Sequence, residues 1–313
     1  MQRNLISKNQ TDFKENHRTS DNLLTLKNVV KKYVTMGKGK IYACFVDFKK
    51  AYDSVWHNGL FYKMRENNLN GKVLDLIMDI YKKTHCAVKI GGASTEFFNF
   101  TRGVRQGCPL SPTLFNIYVN DIFEMLNKNT EANILLNIDD PINALMYADD
   151  LILLSETKEG LQKQIDKLSD YCDKWKLNIN LRKTKIMIFN RGNNLIKFGF
   201  TVNNVLLENV KSMKYLGFII NAKNCSFSPT LDHLCVKANR VIYALNSKIK
   251  ISKYPIKLAL KLFNTLIKPI LLYGSEIWRP YTDFDYITWE KSIIERTHTY
   301  TIFKKSIRVQ FSN

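Results

Sequence analysis

The run Ala144-Leu145-Met146-Tyr147-Ala148-Asp149-Asp150-Leu151-Ile152-Leu153-Leu154 sets two short apolar stretches on either side of a carboxylate pair. Each stretch has strand length and carries neither Pro nor Gly, so the pattern predicts strand, tight turn, strand, with Asp149 and Asp150 at the turn. Adjacent like charges repel, and apolar walls make ionising both costlier. A cation relieves both costs. Hard carboxylate oxygens suit Mg²⁺, which takes one or two carboxylates and completes its shell with water and substrate phosphates. Taken alone, the pair is equally a surface turn that happens to hold two Asp, a common turn residue. A second carboxylate in matching context is what decides between these readings.

That carboxylate is Asp47. Ile41-Tyr42-Ala43-Cys44-Phe45-Val46 is a nearly continuous apolar run, as a central strand requires, and it ends in Asp47. A carboxylate closing a buried strand and an Asp pair on a remote hairpin are the geometry for gripping metal between neighbouring strands. Only the fold can join them, because they lie far apart in the chain.

The rest of the pattern supplies that fold. Thr19 to Met36 reads as a helix, capped by Thr19, Ser20 or Asp21 and ended by Gly37, with a stripe of Leu23, Leu26, Val30, Tyr33 and Val34. An inserted unit lies between Gly59 and Arg105. In it, Gly71 to Lys83 reads as a helix through Val73, Leu76, Ile77, Ile80 and Tyr81, followed by a hairpin around Gly91-Gly92. The loop Arg102 to Pro112 opens a further helix, with Ser111 as N-cap and Pro112 at the first helical position. Thr157 to Lys176 carries Leu161, Ile165, Leu168, Cys172 and Trp175 at helical spacing, and Ile186 to Phe189 is an apolar strand. Leaving the insertion aside, the order is strand, helix, strand, strand, helix, strand, the split βαβ pattern, with the two Asp-bearing strands central and adjacent. The fold class is therefore α+β.

Val210 to Ile220 reads as a short hairpin around Tyr215-Leu216-Gly217, and the chain then turns helical. No Asp or Glu occurs between Lys237 and Ser275, a span that holds Lys237, Arg240, Lys248, Lys250, Lys253, Lys257, Lys261 and Lys268. A merely solvated face usually mixes signs, so this one-sign stretch reads as a nucleic-acid footprint. The whole chain agrees: 47 Lys plus Arg against 28 Asp plus Glu give a net charge of +19. Such a surplus points to a polyanion, bound through counterion release from phosphates. An anionic membrane is the rival, but no segment approaches the ~20 apolar residues of a spanning helix, and the N-terminus starts no secretory signal. The six Cys form no Cys-x-x-Cys pair, which argues for reduced thiols in an intracellular protein rather than a zinc site.

Together these stretches resemble the reverse transcriptase of non-LTR (LINE-type) retrotransposons, especially the jockey-like group. Phe45 to Val55 is similar to that family's first catalytic motif, Arg102 to Pro112 with Asn120-Asp121 to its template-and-nucleotide motif, and Tyr147-Ala148-Asp149-Asp150 to its second catalytic motif. Asn180 to Lys185 and Tyr215-Leu216-Gly217 match two later motifs, Tyr273 to Trp278 a further signature, and Gln10 to Asp21 the stretch that leads into the polymerase. The resemblance implies a right-hand polymerase with a ferredoxin-like palm, partial fingers and a helical thumb. It implies fingers and palm over 1–222, thumb over 223–281 and a C-terminal helical extension over 282–313.

It also implies RNA-templated DNA synthesis by two-metal phosphoryl transfer, with ions ~3.5–4 Å apart serving the attacking and leaving oxygens. Asp47 and Asp149 would be ligands of two Mg²⁺ (or Mn²⁺), with Asp150 third and the Phe48 carbonyl as a further ligand. Lys183 would protonate pyrophosphate. Tyr52 would exclude a ribose 2′-OH by clash, and Arg105, Gln106 and Gly107 would shape the nucleotide pocket. Tyr215, Leu216 and Gly217 would hold the primer, and Lys237, Arg240, Lys248 and Lys250 the hybrid backbone. The implied partners are an RNA template, a DNA primer and dNTPs, without a membrane, in nucleus and cytoplasm. Full elements carry an upstream endonuclease and further polymerase residues, so the expectation is a fragment truncated at both ends. The alternatives are a nucleic-acid-binding remnant that has lost catalysis, and a group II intron maturase-like protein. The Tyr273 to Trp278 signature favours the LINE type.

Overall fold

In a computed structural model of the protein, the described residues are 6–7, 9–13, 17–37, 39–99, 101–127, 134–137, 140–192, 195–249 and 256–278. Contacts divide the chain into two units, Met1–Lys211 with Ala222–Asn224, and Ser212–Asn221 with Cys225–Asn313.

The first unit opens with α1 (Thr19–Val30), which continues as a π-helical stretch, Lys31–Met36. None of the expected side-chain caps stands at the N-cap. Arg18 does, and Asp21 sits three residues in, its carboxylate accepting from the Arg18 N–H at 2.9 Å. The widened far end is satisfied by Arg191, whose guanidinium donates to the carbonyls of Val34 and Thr35. Then come β1 (Ile41–Val46), α2 (Ala51–Ser54), α3 (His57–Glu66) and α4 (Lys72–Lys82). The inserted hairpin is β2 (His85–Cys86), β3 (Lys89–Ile90), β4 (Ala93–Ser94) and β5 (Phe98–Asn99), turning at Gly91 and Gly92, both with positive φ. Next are α5 (Ser111–Val119), α6 (Ile122–Asn127), β6 (Ile134–Asn137), β7 (Asp140–Ile142), β8 (Ala144–Tyr147) and β9 (Asp150–Ser155). The unit closes with α7 (Lys158–Trp175), β10 (Lys185–Phe189), β11 (Thr201–Val202), β12 (Val205–Leu206) and β13 (Glu208–Asn209).

Two sequence expectations shift by a residue or a face. Leu110, not Ser111, is the N-cap of α5, so Ser111 is already helical and spends its hydroxyl on the Arg105 carbonyl, 2.5 Å away. On α4 the core stripe is Leu74, Ile77 and Tyr81, while Val73 and Leu76 are exposed. That helix has two neighbouring apolar stripes, and periodicity alone does not say which one meets the core.

The central sheet runs β13-β10-β1-β9-β8, with every pair antiparallel except β10 with β13. Taking the four strands of the split βαβ pattern in chain order, their order across the sheet is fourth, first, third, second, which is the ferredoxin-like arrangement. The apolar faces of β1, β8, β9 and β10 pack with α3, α5, α6 and α7 into one cluster that includes Leu60, Met64, Phe115, Tyr118, Ile122 and Leu168. Each such side chain contributes roughly 1.5–3 kcal/mol by leaving water. The exposed edge of β8 is covered by residues 9–11: the Met146 N–H donates to the Asn9 carbonyl at 3.0 Å, and the Thr11 N–H to the Met146 carbonyl at 3.2 Å.

The second unit contains the hairpin β14 (Ser212–Tyr215) and β15 (Phe218–Asn221), then α8 (Ser228–Ile249), α9 (Ile256–Leu262), a π-helical stretch Phe263–Ile267, α10 (Lys268–Leu271) and α11 (Ser275–Trp278). Its core joins Cys235, Ala238, Ile242 and Leu245 of α8 to Phe263, Ile267 and Leu271. Residues 282–313, expected as a helical extension, lie outside the described residues.

Candidate active site

The sheet register brings the carboxylates together. Val46 pairs with Leu151 across β1 and β9, so the next step along both strands sets Asp47 level with Asp150. The turn joining β8 to β9 is Ala148-Asp149, because Tyr147 pairs with Asp150. Asp150 therefore opens a strand and does not share the turn, a correction to the sequence reading. Ala148 adopts φ 53°, a conformation costly for a residue with a Cβ, and strain of this kind collects at functional sites.

The segment before β10 wraps around Asp47. The Asn180 N–H donates to the Asp47 carbonyl at 2.7 Å, and its side-chain amide donates to Asp47 Oδ2 at 2.9 Å. Thr184 Oγ1 accepts the Asp47 N–H at 3.2 Å, and Lys183 Nζ stands 3.7 Å from Asp47 Oδ1. Sequence reading quoted Asn180 and Thr184 inside a motif without giving either a role. Their signal was there: short polar side chains placed to bond a carboxylate and its backbone.

The acidic field is only partly compensated, by Lys183. The Asp150 carboxyl is pushed up to about 6, by desolvation first and then by the charges of Asp149 and Asp47, while Lys183 pulls it down. Asp150 keeps an exposed edge, so the charge coupling to Asp149 and Asp47 is the part of that push that matters here. Hard oxygens in excess of nearby cations fit a divalent metal. Among the described residues no three His, Cys, Asp or Glu side chains close into a metal-binding group. The fit is therefore to an open site, whose remaining positions belong to water and substrate phosphates.

Of the residues expected to read the nucleotide, Tyr52 lies within the field of Asp149. Tyr52 stacks on Phe115 with centroids 4.6 Å apart, and its hydroxyl is pushed up to about 12 by burial, then by Asp12, Asp149 and Tyr147. Gln106 Nε2 donates to Asp53 Oδ1 at 3.1 Å; Arg105 and Gly107 are exposed, and Gly107 adopts φ 82°. Phe48 is buried, paired across a bridge with Ile179. The loop bearing Arg105 is stapled to the first catalytic segment, Gly103 N–H to the Val55 carbonyl and Val104 N–H to the Tyr52 carbonyl, each at 2.8 Å. Gly103 has φ 97°, and a Cβ there would lie 3.0 Å from the Asp53 backbone, so the staple requires glycine.

Asp12 was missed as a site neighbour. It is 3% exposed, bonded to Tyr147, and its Oδ2 is buried without a hydrogen-bond partner. Burial, with a smaller push from Asp149, raises its carboxyl. In the sequence it lies inside the Gln10 to Asp21 stretch, where nothing local singles it out.

In the second unit, Leu216 and Gly217 form the β14–β15 turn, both with positive φ. Phe218 stacks on Tyr273 at 5.2 Å, and a Cβ on Gly274 would lie 2.0 Å from the Phe218 ring, which explains the Tyr-Gly pair of the Tyr273 to Trp278 signature. Lys237, Arg240 and Lys248 are exposed on α8, and Lys250 lies outside the described residues. His233 is lowered by burial and by the charges of Lys237, Lys214 and Arg240, so hairpin and helix contribute to one positive field. No helix among the described residues is long and apolar enough to cross a membrane.

The chain is 32% identical over 212 residues to the Pol polyprotein of a type-1 retrotransposable element R2 from Nasonia vitripennis, covering 65% of this chain and 20% of that protein. It is 27% identical over 287 residues to the RNA-directed DNA polymerase of the mobile element jockey from Drosophila funebris, covering 87% of this chain and 30% of that protein. It thus spans between a fifth and a third of the length of these relatives. Among solved structures, telomerase from Candida albicans in complex with a fragment of telomeric RNA shares its fold, with TM-score 0.51 and 15% identity over 90% of this chain and 47% of that one. The fold is the right-hand polymerase fold expected from the motifs. Residues 1–220, which hold every carboxylate of the acidic sheet end, match the family model for reverse transcriptase (RNA-dependent DNA polymerase), and the chain belongs to that family.

Proposed function

We propose that this chain is the polymerase core of a non-LTR retrotransposon reverse transcriptase, which adds dNTPs to a DNA primer 3′-OH on an RNA template. The observation that carries the reading is the acidic end of the central sheet, where Asp47, Asp149 and Asp150 share one field with the Lys183 ammonium beside Asp47. Asp47 and Asp149 would hold two Mg²⁺ or Mn²⁺ ions, with the Phe48 carbonyl and Asp150 in support; bound there, the ions stabilise the attacking and leaving oxygens.

The chain's own groups do the rest. Asn180 orients Asp47 through Oδ2 and leaves Oδ1 facing Lys183. The Lys183 ammonium holds a proton for the leaving pyrophosphate oxygen. The Tyr52 ring, backed by Phe115, excludes a 2′-hydroxyl by clash. Arg105, Gln106 and Gly107 line the nucleotide. Tyr215, Leu216 and Gly217 hold the primer end, and Lys237, Arg240, Lys248 and Lys250 grip the hybrid backbone without reading sequence. In this reading residues 1–222 supply fingers and palm and residues 223–281 the thumb. Action is in nucleus and cytoplasm, where the template RNA and target DNA are met.

Primer extension tests it. Purified protein receives poly(rA), oligo(dT), dTTP and Mg²⁺. Extension by the wild type and none by Asp149→Ala is the expected result. A wild type that binds the hybrid in a salt-sensitive way but extends nothing sinks the enzyme reading and leaves a nucleic-acid-binding remnant.

A further inference from the structure

His57 lies two residues past the Phe45 to Val55 stretch in the sequence, and the chemistry above does not use it. In the structure it is almost fully buried at the start of α3, and its Nε2 lies 2.7 Å from the Gly103 carbonyl. A carbonyl only accepts, so Nε2 carries the proton. The ring packs against Tyr81 at 4.8 Å and Phe61 at 6.2 Å. Tyr81 in turn hydrogen-bonds the Arg105 backbone and the Ser111 side chain. One side chain and its neighbour thus hold the loop at Gly103 and again at Arg105. Gly103 is itself buried, so its carbonyl has no water to turn to if the donor is lost.

We propose that His57 is a positioning residue of the nucleotide loop: by holding the Gly103 carbonyl it sets the backbone that presents Arg105, Gln106 and Gly107. Three bonds converge on two consecutive residues of that loop: Gly103 N–H to Val55, Val104 N–H to Tyr52, and His57 Nε2–H to the Gly103 carbonyl. Two are backbone bonds. The third is the one that depends on a side chain. It ties the loop to the same short segment that carries Tyr52, so the sugar-facing ring and the base-facing loop keep a fixed separation. The functional half of this inference rests on the polymerase reading; the structural half does not.

The test uses two variants of the full chain. His57→Phe keeps a ring against Tyr81 and removes the donor. His57→Gln restores an amide N–H at the Nε2 position. Hydrogen–deuterium exchange of the Gly103 and Val104 amides should accelerate roughly tenfold in His57→Phe, with α5 amides unchanged. It should return towards wild type in His57→Gln. In primer extension the KM for dTTP should rise about 5- to 50-fold in His57→Phe, with kcat within about threefold and recovery in His57→Gln. Unchanged loop exchange overturns the proposal. So does acceleration of loop and α5 together, because that reports a general loss of stability. If the wild type itself extends no primer while loop exchange responds as stated, the polymerase reading fails and the loop-setting role of His57 stands.

Discussion

Two groups of charged side chains in the first unit are handled in opposite ways. At the end of the central sheet, Asp47, Asp149 and Asp150 are gathered with little to balance them, and Asp150 is driven up to about 6, by desolvation first and then by the charges of Asp149 and Asp47. Beneath α5 and α7, Lys63 is 3% exposed and fully provided for. Its ammonium donates to the Tyr118 carbonyl, to Asp121 Oδ1 at 2.6 Å and to the Tyr171 hydroxyl at 2.6 Å, and it lies 3.8 Å from the Trp175 ring centroid. Ammonium offers three donors, and all three are taken. The Lys63 group is a closed structural knot in which α3, α5 and α7 meet. The acidic group is left open, and an open excess of one charge is what a metal or a substrate can answer.

That contrast can be broken by experiment. The largest effect should come from Asp47→Ala, which should lower primer extension by about 10³-fold while changing unfolding free energy by less than ~1 kcal/mol. A large loss of stability would mean that Asp47 is part of the scaffold and the contrast is false. Lys63→Ala should do the reverse. It removes the hub of the knot, takes the ammonium away from Asp121 and opens a cavity, and should cost about 3 kcal/mol in denaturant unfolding. A loss below ~1 kcal/mol would show the knot to be ornamental.

The smallest effect is a pH dependence. Burial pushes Lys63 down to about 8, with Asp121 working the other way. The folded pKa lies below that of the unfolded chain, so the unfolded state binds more protons between about 8 and 10.5, and stability from this group rises with pH in that window. Relative to Lys63→Met, the wild type should gain up to ~1.4 kcal/mol per pH unit there. A flat difference would mean that Asp121 and Tyr171 hold Lys63 charged throughout.

The sequence made the acidic group legible and the knot invisible, for one reason. Each carboxylate of the first group ends an apolar run, so its position relative to a strand can be read locally. Lys63 looks like any helical lysine: its partners Tyr118, Asp121, Tyr171 and Trp175 come from elements that meet it only in the folded chain. The same limit explains α4, where local periodicity admitted two stripes and packing chose Leu74, Ile77 and Tyr81. It explains α5 as well, where Ser111 gave up the capping role to hold the Arg105 carbonyl. Asp12 belongs here too, since nothing beside it in the chain hints that it lies within the field of Asp149.

What the sequence by itself determined is the strands and helices of the split βαβ frame, their order, the placing of Asp47 and the Asp149-Asp150 pair beside apolar strands, and the one-sign stretch between Lys237 and Ser275. These rest on period, turn chemistry and charge, all local properties. What only the tertiary structure decided is the register that sets Asp47 level with Asp150, the Asn180 and Thr184 bonds that hold Asp47, the bond from His57 to Gly103 and the closure of the Lys63 knot. Each needs a distance between residues remote in the chain, and such distances exist only once burial of the shared core has paid the entropy of bringing them together.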